Sequence, residues 1–468
     1  MEFRKILFRL VILGWICLLF IIDPALYVEF NMSVNEKSNK LQNAVAYTDL
    51  PYYTWGGSGA ESAYDIARDS SNNTYIVGYT TSFGAGVSDI CLLKFNSSGG
   101  LEWNQTYGGI DREWGTSIAI DSLDYLYITG HTSNTPFGEG GSDILVLKIN
   151  STGGVEWNYT WGGKEDEYGW SITLDSQNNA YVAGRTKSFG AGGFDMCLVK
   201  FNSSGVVWNY TCGGADNEAA YGITLDPQGN AYVVGNTKSF GLEKKDLYLV
   251  KFNSSGLIWN YTWGCADDDE GTEIICSPSG DLYVAGIYEK SSNCSKKAEL
   301  GPVPQYITLI KFNSNGTYLW NNTWDAFNFG WTFGMVMDSF GNAYLAGYTP
   351  PVNFDDYDMC LVRFNSSGVA DWSCNWGGSE SELSQGLVLG PNGTVLVVGH
   401  TMSYGAGSAD LCMVEFKIGQ CPITLPVDGT PPLIHGYQTT ILIGIAFTVS
   451  IFLIKKKLVL LKNVKKKK

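Results

Sequence analysis

The chain has 468 residues, of which 44% are hydrophobic and only 16% charged, with 56 Gly, 15 Trp and a formal net charge of −15. That much apolar material supports a buried core and argues against intrinsic disorder, and sparse charge with abundant Gly fits turn-rich β structure. The acidic excess argues against nucleic acid as a partner; it is larger still between the termini, because the last fourteen residues hold eight lysines.

At the N-terminus Arg4, Lys5 and Arg9 precede an apolar run over 10–22. That run is the length of an export signal and short for a membrane span, so 1–27 is expected to be a signal peptide or N-terminal anchor, and 28–50 a linker.

From 51 to 417 one pattern recurs seven times. The third copy reads Ser171-Ile172-Thr173-Leu174-Asp175, Ala180-Tyr181-Val182-Ala183-Gly184, Asp195-Met196-Cys197-Leu198-Val199-Lys200-Phe201 and Trp208-Asn209-Tyr210-Thr211-Cys212-Gly213-Gly214. Three markers keep the same register. A Trp-Gly-Gly element starts at Trp55, Tyr107, Trp161, Cys212, Trp263, Trp324 and Trp376, eroded at Cys265 and at Asp325-Ala326. A glycine stop falls at Gly78, Gly130, Gly184, Gly235, Gly286, Gly347 and Gly399, and a basic residue at Lys94, Lys148, Lys200, Lys251, Lys311 and Arg363, with Glu415 in its place in the last copy. Each run is short, apolar or alternating, and bounded by Asp, Asn, Ser or Gly, which reads as strand. A repeat of about 50 residues with four such runs, lettered a to d, predicts an all-β, seven-bladed propeller of four-stranded blades, with strand a along the central channel. The first copy starts with an orphan d strand at 52–55 and the last stops at strand c, 411–416. Pairing the two would close the ring and remove two open sheet edges.

The segments Ile172-Thr173-Leu174-Asp175 to Ala183-Gly184-Arg185-Thr186 and Asp195-Met196-Cys197-Leu198-Val199-Lys200-Phe201-Asn202-Ser203-Ser204-Gly205 resemble the SBBP-type β-propeller repeat of microbial, including archaeal, cell-surface proteins. The resemblance covers about 365 residues and implies an extracellular seven-bladed propeller, usually without a known activity. A weaker similarity, through 201–208, runs to the Trp-docking repeats of quinoprotein dehydrogenases, whose eight blades and quinone signature have no counterpart here.

Beyond the repeats, 418–436 carries Pro422, Pro426, Pro431 and Pro432 and is expected to form a stalk. Residues 437–454 are almost wholly apolar and are expected to form a transmembrane helix; the basic tail 455–468 would then be cytoplasmic and the propeller outside, a single-pass arrangement at the cell membrane.

Asn-x-Ser/Thr acceptors for N-glycosylation recur in register. Asn96, Asn150, Asn202, Asn253, Asn315 and Asn365 fall in the c–d turn, and Asn72 and Asn392 in the a–b turn; Asn104, Asn158, Asn209, Asn260 and Asn321 fall on strand d. The face formed by the d–a and b–c loops is left nearly bare, Asn293 being the exception within the ring. The alternative is that Asn-Ser-Ser-Gly is simply good turn chemistry.

Two residue rings belong to that bare face. Six positions after each Trp-type marker stand Glu61, Glu113, Glu167, Glu218, Asp269 and Glu382, with Gly330 in blade 6. Crowded at the channel mouth, these acids could hold a cation such as calcium; alternatively each bonds backbone amides of its own loop or bridges to the next blade. After the strand b glycine come Tyr79, His131, Arg185, Asn236, Ile287, Tyr348 and His400. A position that varies inside a constant frame is not needed for stacking blades, so it is either free to read a ligand or unconstrained surface.

No catalytic motif is present, no catalytic residue is assigned, and no cofactor is implied beyond the cation just named. Cys91, Cys197, Cys360 and Cys412 share one strand c position and are expected to be free; Cys212, Cys265, Cys276, Cys294, Cys374 and Cys421 are irregular and could include disulfides. The functional expectation is a membrane-anchored extracellular module for binding, adhesion or envelope interaction, taking a surface protein or glycan on the d–a and b–c face. The alternative is an extracytoplasmic enzyme, quinoprotein-like or polysaccharide-active, with chemistry at the channel mouth.

Overall fold

The computed structural model describes residues 50–133, 140–242, 244–265, 267–289, 305–324, 331–349 and 357–419. Within them 28 strands form seven four-stranded antiparallel sheets, six of them in the order a-b-c-d. Blade 1 is typical, with strands Glu61–Arg68, Thr74–Thr80, Asp89–Phe95 and Leu101–Tyr107. The seventh sheet takes Tyr52–Trp55 as its fourth strand, with Tyr52 opposite Val414 and Trp55 opposite Leu411. The ring is therefore closed by the first strand of the repeat region, as its phase predicts.

The core lies between blades. Strands b and c are buried on both faces, which is why they read as continuous apolar runs. The strand c phenylalanines Phe95, Phe201, Phe252, Phe312, Phe364 and Phe416 are all fully buried, each worth about 1.5–3 kcal/mol of apolar transfer. Cys91, Cys197, Cys360 and Cys412 are buried free thiols in the same layer. Beside the phenylalanine position, the strand c lysine lies over the strand b tyrosine, and in blades 2 to 5 it pairs with the a–b turn aspartate, whereas Lys94 of blade 1 pairs with Glu102; Lys200 Nζ is 2.8 Å from the Tyr181 hydroxyl and 3.0 Å from Asp175 Oδ2.

One irregularity matters for function. Every strand a is bulged against strand b, between Ala63 and Asp65 in blade 1 and at the equivalent place in the other six. The strand b glycine permits it: a Cβ on Gly184 would collide with the carbonyl oxygen of Tyr168, and one on Gly78 with that of Ser62. The extra residue in each bulge is thereby re-aimed.

The expected fold class needs one correction. Among the described residues no helix is long and apolar enough to cross a membrane; the long apolar runs there are strands of seven or eight residues, and the helical element is the three-residue turn Pro391–Gly393. The expected transmembrane segment 437–454 lies outside the described residues, as do 1–27, nearly all of 28–50 and 418–436, the tail 455–468, and most of the blade 5 insertion.

Candidate binding site at the channel mouth

The acidic ring is buried in the frame. Glu61, Glu113, Glu167, Glu218, Asp269 and Glu382 are each at most 3% exposed. In blade 3 Glu167 Oε2 accepts the Gly163 amide at 2.6 Å, and Oε1 accepts the Thr186 hydroxyl at 2.7 Å and the Ser188 amide at 2.9 Å. Its own N–H donates to Ser142 O of blade 2 at 2.6 Å. Glu61, Glu113, Glu218 and Glu382 repeat this arrangement, each tying a d–a loop to the b–c loop of its own blade and to the neighbouring blade. Asp269 accepts the Cys265 amide at 2.6 Å and the Glu289 amide at 3.1 Å, and burial pushes its carboxyl up to about 8. With their oxygens occupied by protein donors, these carboxylates serve as latches. Among the described residues no group of three or more His, Cys, Asp or Glu could hold a metal ion.

The second ring is different in kind. Tyr79 stacks on Trp114 of the next blade at 4.6 Å between centroids. His131 packs between Trp114, at 5.5 Å, and Tyr168, at 4.9 Å. The Arg185 guanidinium lies over the rings of Tyr168 and Phe194, at 4.9 and 4.4 Å. Asn236 Nδ2 donates to the Tyr221 hydroxyl at 3.2 Å and to Glu270 Oε2 at 2.8 Å, while Lys245 Nζ reaches Glu270 Oε1 at 2.6 Å. Tyr348 packs on Phe333 and Tyr357. His131 and His400 belong to blades 2 and 7, with blade 1 between them. His400 Nδ1 instead lies 3.1 Å from Ser62 Oγ, across the closing boundary. Among the described residues no carboxylate orients the other nitrogen of that imidazole, so the pair lacks the third member of a nucleophile–base triad.

Among the buried polar atoms without a hydrogen-bond partner are His131 Nδ1, Arg185 Nε and Trp170 Nε1. Burial, and secondarily Arg185, pushes the His131 imidazole down to about 4, so it is neutral at pH 7.

Below the mouth is an axial cavity of about 410 Å³ to which strand a of every blade contributes. The bulge residues Tyr64, Trp170, Tyr221 and Phe333 line it, with Thr116, Thr272 and Gln385 between them. Immediately after the bulges, Asp65 and Glu273 face the same space. Sequence reasoning missed this inner layer. Its signal was a strand a position just before the repeated Ile66, Ile118, Ile172, Ile223 and Ile274 that changes type from copy to copy.

The glycosylation candidates sit as their register implies. Asn104, Asn158, Asn209 and Asn260 are exposed on strand d and Asn321 is half-buried. In the c–d turns, the side-chain carbonyls of Asn96, Asn150, Asn202, Asn253 and Asn365 accept amides of their own turn; Asn315 instead donates its amide to Asn313. Of the irregular cysteines, Cys212 and Cys276 are free and Cys265 and Cys374 are disulfide-bonded; Cys294 and Cys421 lie outside the described residues.

The family model of the SBBP β-propeller repeat matches residues 107–138 and 213–241. A curated relative, the regulatory protein FlaEY of Caulobacter vibrioides, is 26% identical over 178 residues, covering 33% of this chain and only 18% of that protein. Similar solved structures include the β-propeller domain of the Trilobed protease from Pyrococcus furiosus, with 9% identity, 80% of this chain and 99% of that one covered, and a TM-score of 0.45. The polysaccharide lyase Uly1 is another, with 10% identity, coverage of 80% and 94%, and a TM-score of 0.44. The chain folds as a seven-bladed β-propeller, two segments of which match the SBBP β-propeller repeat.

Proposed function

We propose that this propeller is a binding module that takes a surface protein or glycan at the mouth formed by its d–a and b–c loops, outside the cytoplasm. One observation carries the reading: at this end a constant frame of latching carboxylates presents side chains whose type changes around the ring, and the buried polar atoms His131 Nδ1, Arg185 Nε and Trp170 Nε1 among them have no partner. A buried donor or acceptor without a partner costs about 1–3 kcal/mol, a cost that a ligand group can remove on binding. The disulfide-bonded Cys265 and Cys374 support an oxidising setting.

The test is capture of envelope proteins and of arrayed glycans by the immobilised full-length chain, compared with Trp114→Ala and Tyr168→Ala. Loss of capture in these variants, with capture retained in the opposite-face variant Ser203→Ala, is the expected outcome. Equal capture by all four proteins, or loss in Ser203→Ala alone, would refute the reading.

A further inference from the structure

The axial cavity joins two features that rarely share a space without a ligand. Its wall is aromatic, through Tyr64, Trp170, Tyr221 and Phe333, and it holds the carboxylates of Asp65, Glu270 and Glu273 with no Lys or Arg among its lining residues, Glu270 being paired with Lys245 at 2.6 Å. Asp65 is satisfied by the protein: Oδ1 accepts the Ile66 amide at 2.7 Å, and Oδ2 accepts the Ser117 hydroxyl at 2.8 Å and the Ile118 amide at 2.9 Å. Glu273 is not. Its Oε1 accepts the Ile274 amide at 2.9 Å, and no donor among the described residues reaches Oε2.

Asp65 bridges blades 1 and 2, but the repeat does not call for an acid at this position. At the same repeat position the other blades have Ser117, Ser171, Gly222, Gly334 and Gly386, so blade stacking tolerates a hydroxyl or no side chain at all. Blades 1 and 5 stand on opposite sides of a seven-membered ring, which sets the two carboxylates across the channel from each other. Burial, and in smaller part Asp65, holds the Glu273 carboxyl up at about 8. A cation bound beside it would reverse both effects. Aromatic faces are the other component of an ammonium site, because the ring quadrupole attracts positive charge most strongly where water is excluded. A metal ion is a poorer fit, since it would require several converging ligands and no group of three or more His, Cys, Asp or Glu among the described residues could hold one. The volume suits a small molecule or one long side chain.

We propose that the axial cavity binds an alkylammonium group, with Glu273 as its counter-charge and Tyr64, Trp170, Tyr221 and Phe333 as its aromatic cage. This rests on the reading that ligands enter at the mouth, and it names what the innermost part of that site recognises. The group can arrive on a free amine or on a lysine side chain.

The test is calorimetric titration of the full-length chain with choline, with N-acetyl-lysine methylamide, and with 3,3-dimethylbutanol as the neutral isostere of choline. The expected result is saturable binding of at least one ammonium probe at one site per chain, about tenfold or more weaker binding of the isostere, and a similar loss in Glu273→Gln. Phe333→Leu, which keeps bulk but removes the ring, is expected to weaken binding as well, with circular dichroism confirming that both variants fold. Preference for choline identifies a free small-molecule ammonium compound as the source, and preference for the lysine derivative identifies a peptide. Equal binding of the isostere, or unchanged binding in Glu273→Gln, overturns the proposal. So does failure of both ammonium probes; if envelope or glycan capture still depends on Trp114, that failure leaves the mouth itself as the binding face.

Discussion

Tyr79 of blade 1 and Trp114 of blade 2 lie stacked, with ring centroids 4.6 Å apart and planes 9° from parallel. Trp114 also donates its indole N–H to Ser88 Oγ of blade 1 at 3.0 Å and packs on His131 of its own blade. The mouth is thus assembled across blade boundaries, and its geometry depends on the ring being shut and on the latches that hold each loop.

Ring closure is the first consequence to test. Deleting 50–55 removes a four-residue strand and leaves strand c of blade 7, Asp410–Lys417, as an open edge. Lost ladder hydrogen bonds and the loss of Tyr53 and Trp55 from the core that they cover should lower the unfolding free energy by about 4–8 kcal/mol. Urea denaturation would show it, and size-exclusion chromatography should show self-association through the open edge. An unchanged midpoint would contradict the closure.

The latches give a second test. In Glu167→Gln, an amide group would face the Gly163 and Ser188 N–H groups where a carboxylate now accepts them. The expected loss is about 2–3 kcal/mol by urea denaturation, the worth of a charge-assisted pair left imperfectly satisfied. Because the oxygens are occupied by protein donors, EDTA should leave the melting temperature of the unmodified chain where it was; a drop would restore the cation reading of this ring.

The third concerns His131. Its folded value, about 4, lies below the ordinary 6.5 through burial first and Arg185 second, with Asp166 opposing. Between those values the unfolded chain binds a proton that the folded chain does not, so the contribution of His131 to stability falls as pH drops from about 7 to about 4, by about 3 kcal/mol in all. The difference in unfolding free energy between the unmodified chain and His131→Gln should narrow or reverse over that window. Parallel pH profiles would show that His131 is not buried neutral.

Glu273 runs the other way. Its folded carboxyl titrates near 8, against 4.5 in an unstructured chain, with Asp65, Glu270, Tyr64 and Tyr221 around the same cavity. The folded state is therefore penalised as pH rises from about 4.5 to 8 and the group is forced to ionise. Glu273→Gln should accordingly melt higher than the unmodified chain at pH 8 and close to it at pH 4. A variant that is less stable at pH 8 would mean that Glu273 supports the fold and not a ligand.

Much of this architecture was legible because it repeats. The register of Trp161, Gly184 and Lys200 across copies set the strands, the blade count and the closing strand, since a propeller uses one local solution seven times. The positions of Glu167 and Arg185 were equally visible, but their environments were not. Nothing in the spacing says that Glu167 turns into the frame while Arg185 lies over Tyr168. Glu167 pairs with Thr186 and Tyr168 with Arg185 ahead of the bulge, so alternation alone sends the two pairs to opposite faces, and only the structure shows which face is the frame. Tyr64 and Glu273 were hidden for a different reason: a one-residue bulge shifts which side chains reach the channel, and period-two counting carries across it without notice. Cys265 and Cys374 form disulfides that spacing alone left open.

The most direct measurement is hydroxyl-radical footprinting of the full-length chain with and without the envelope or glycan ligand that it captures. Protection concentrated on Trp114, His131, Tyr168 and Tyr348, with the c–d turns around Asn96 and Asn202 unchanged, is the expected result. Protection confined to those turns or to the exposed strand d residues Val206 and Ile258, with the mouth unaltered, would contradict the assignment of the binding face.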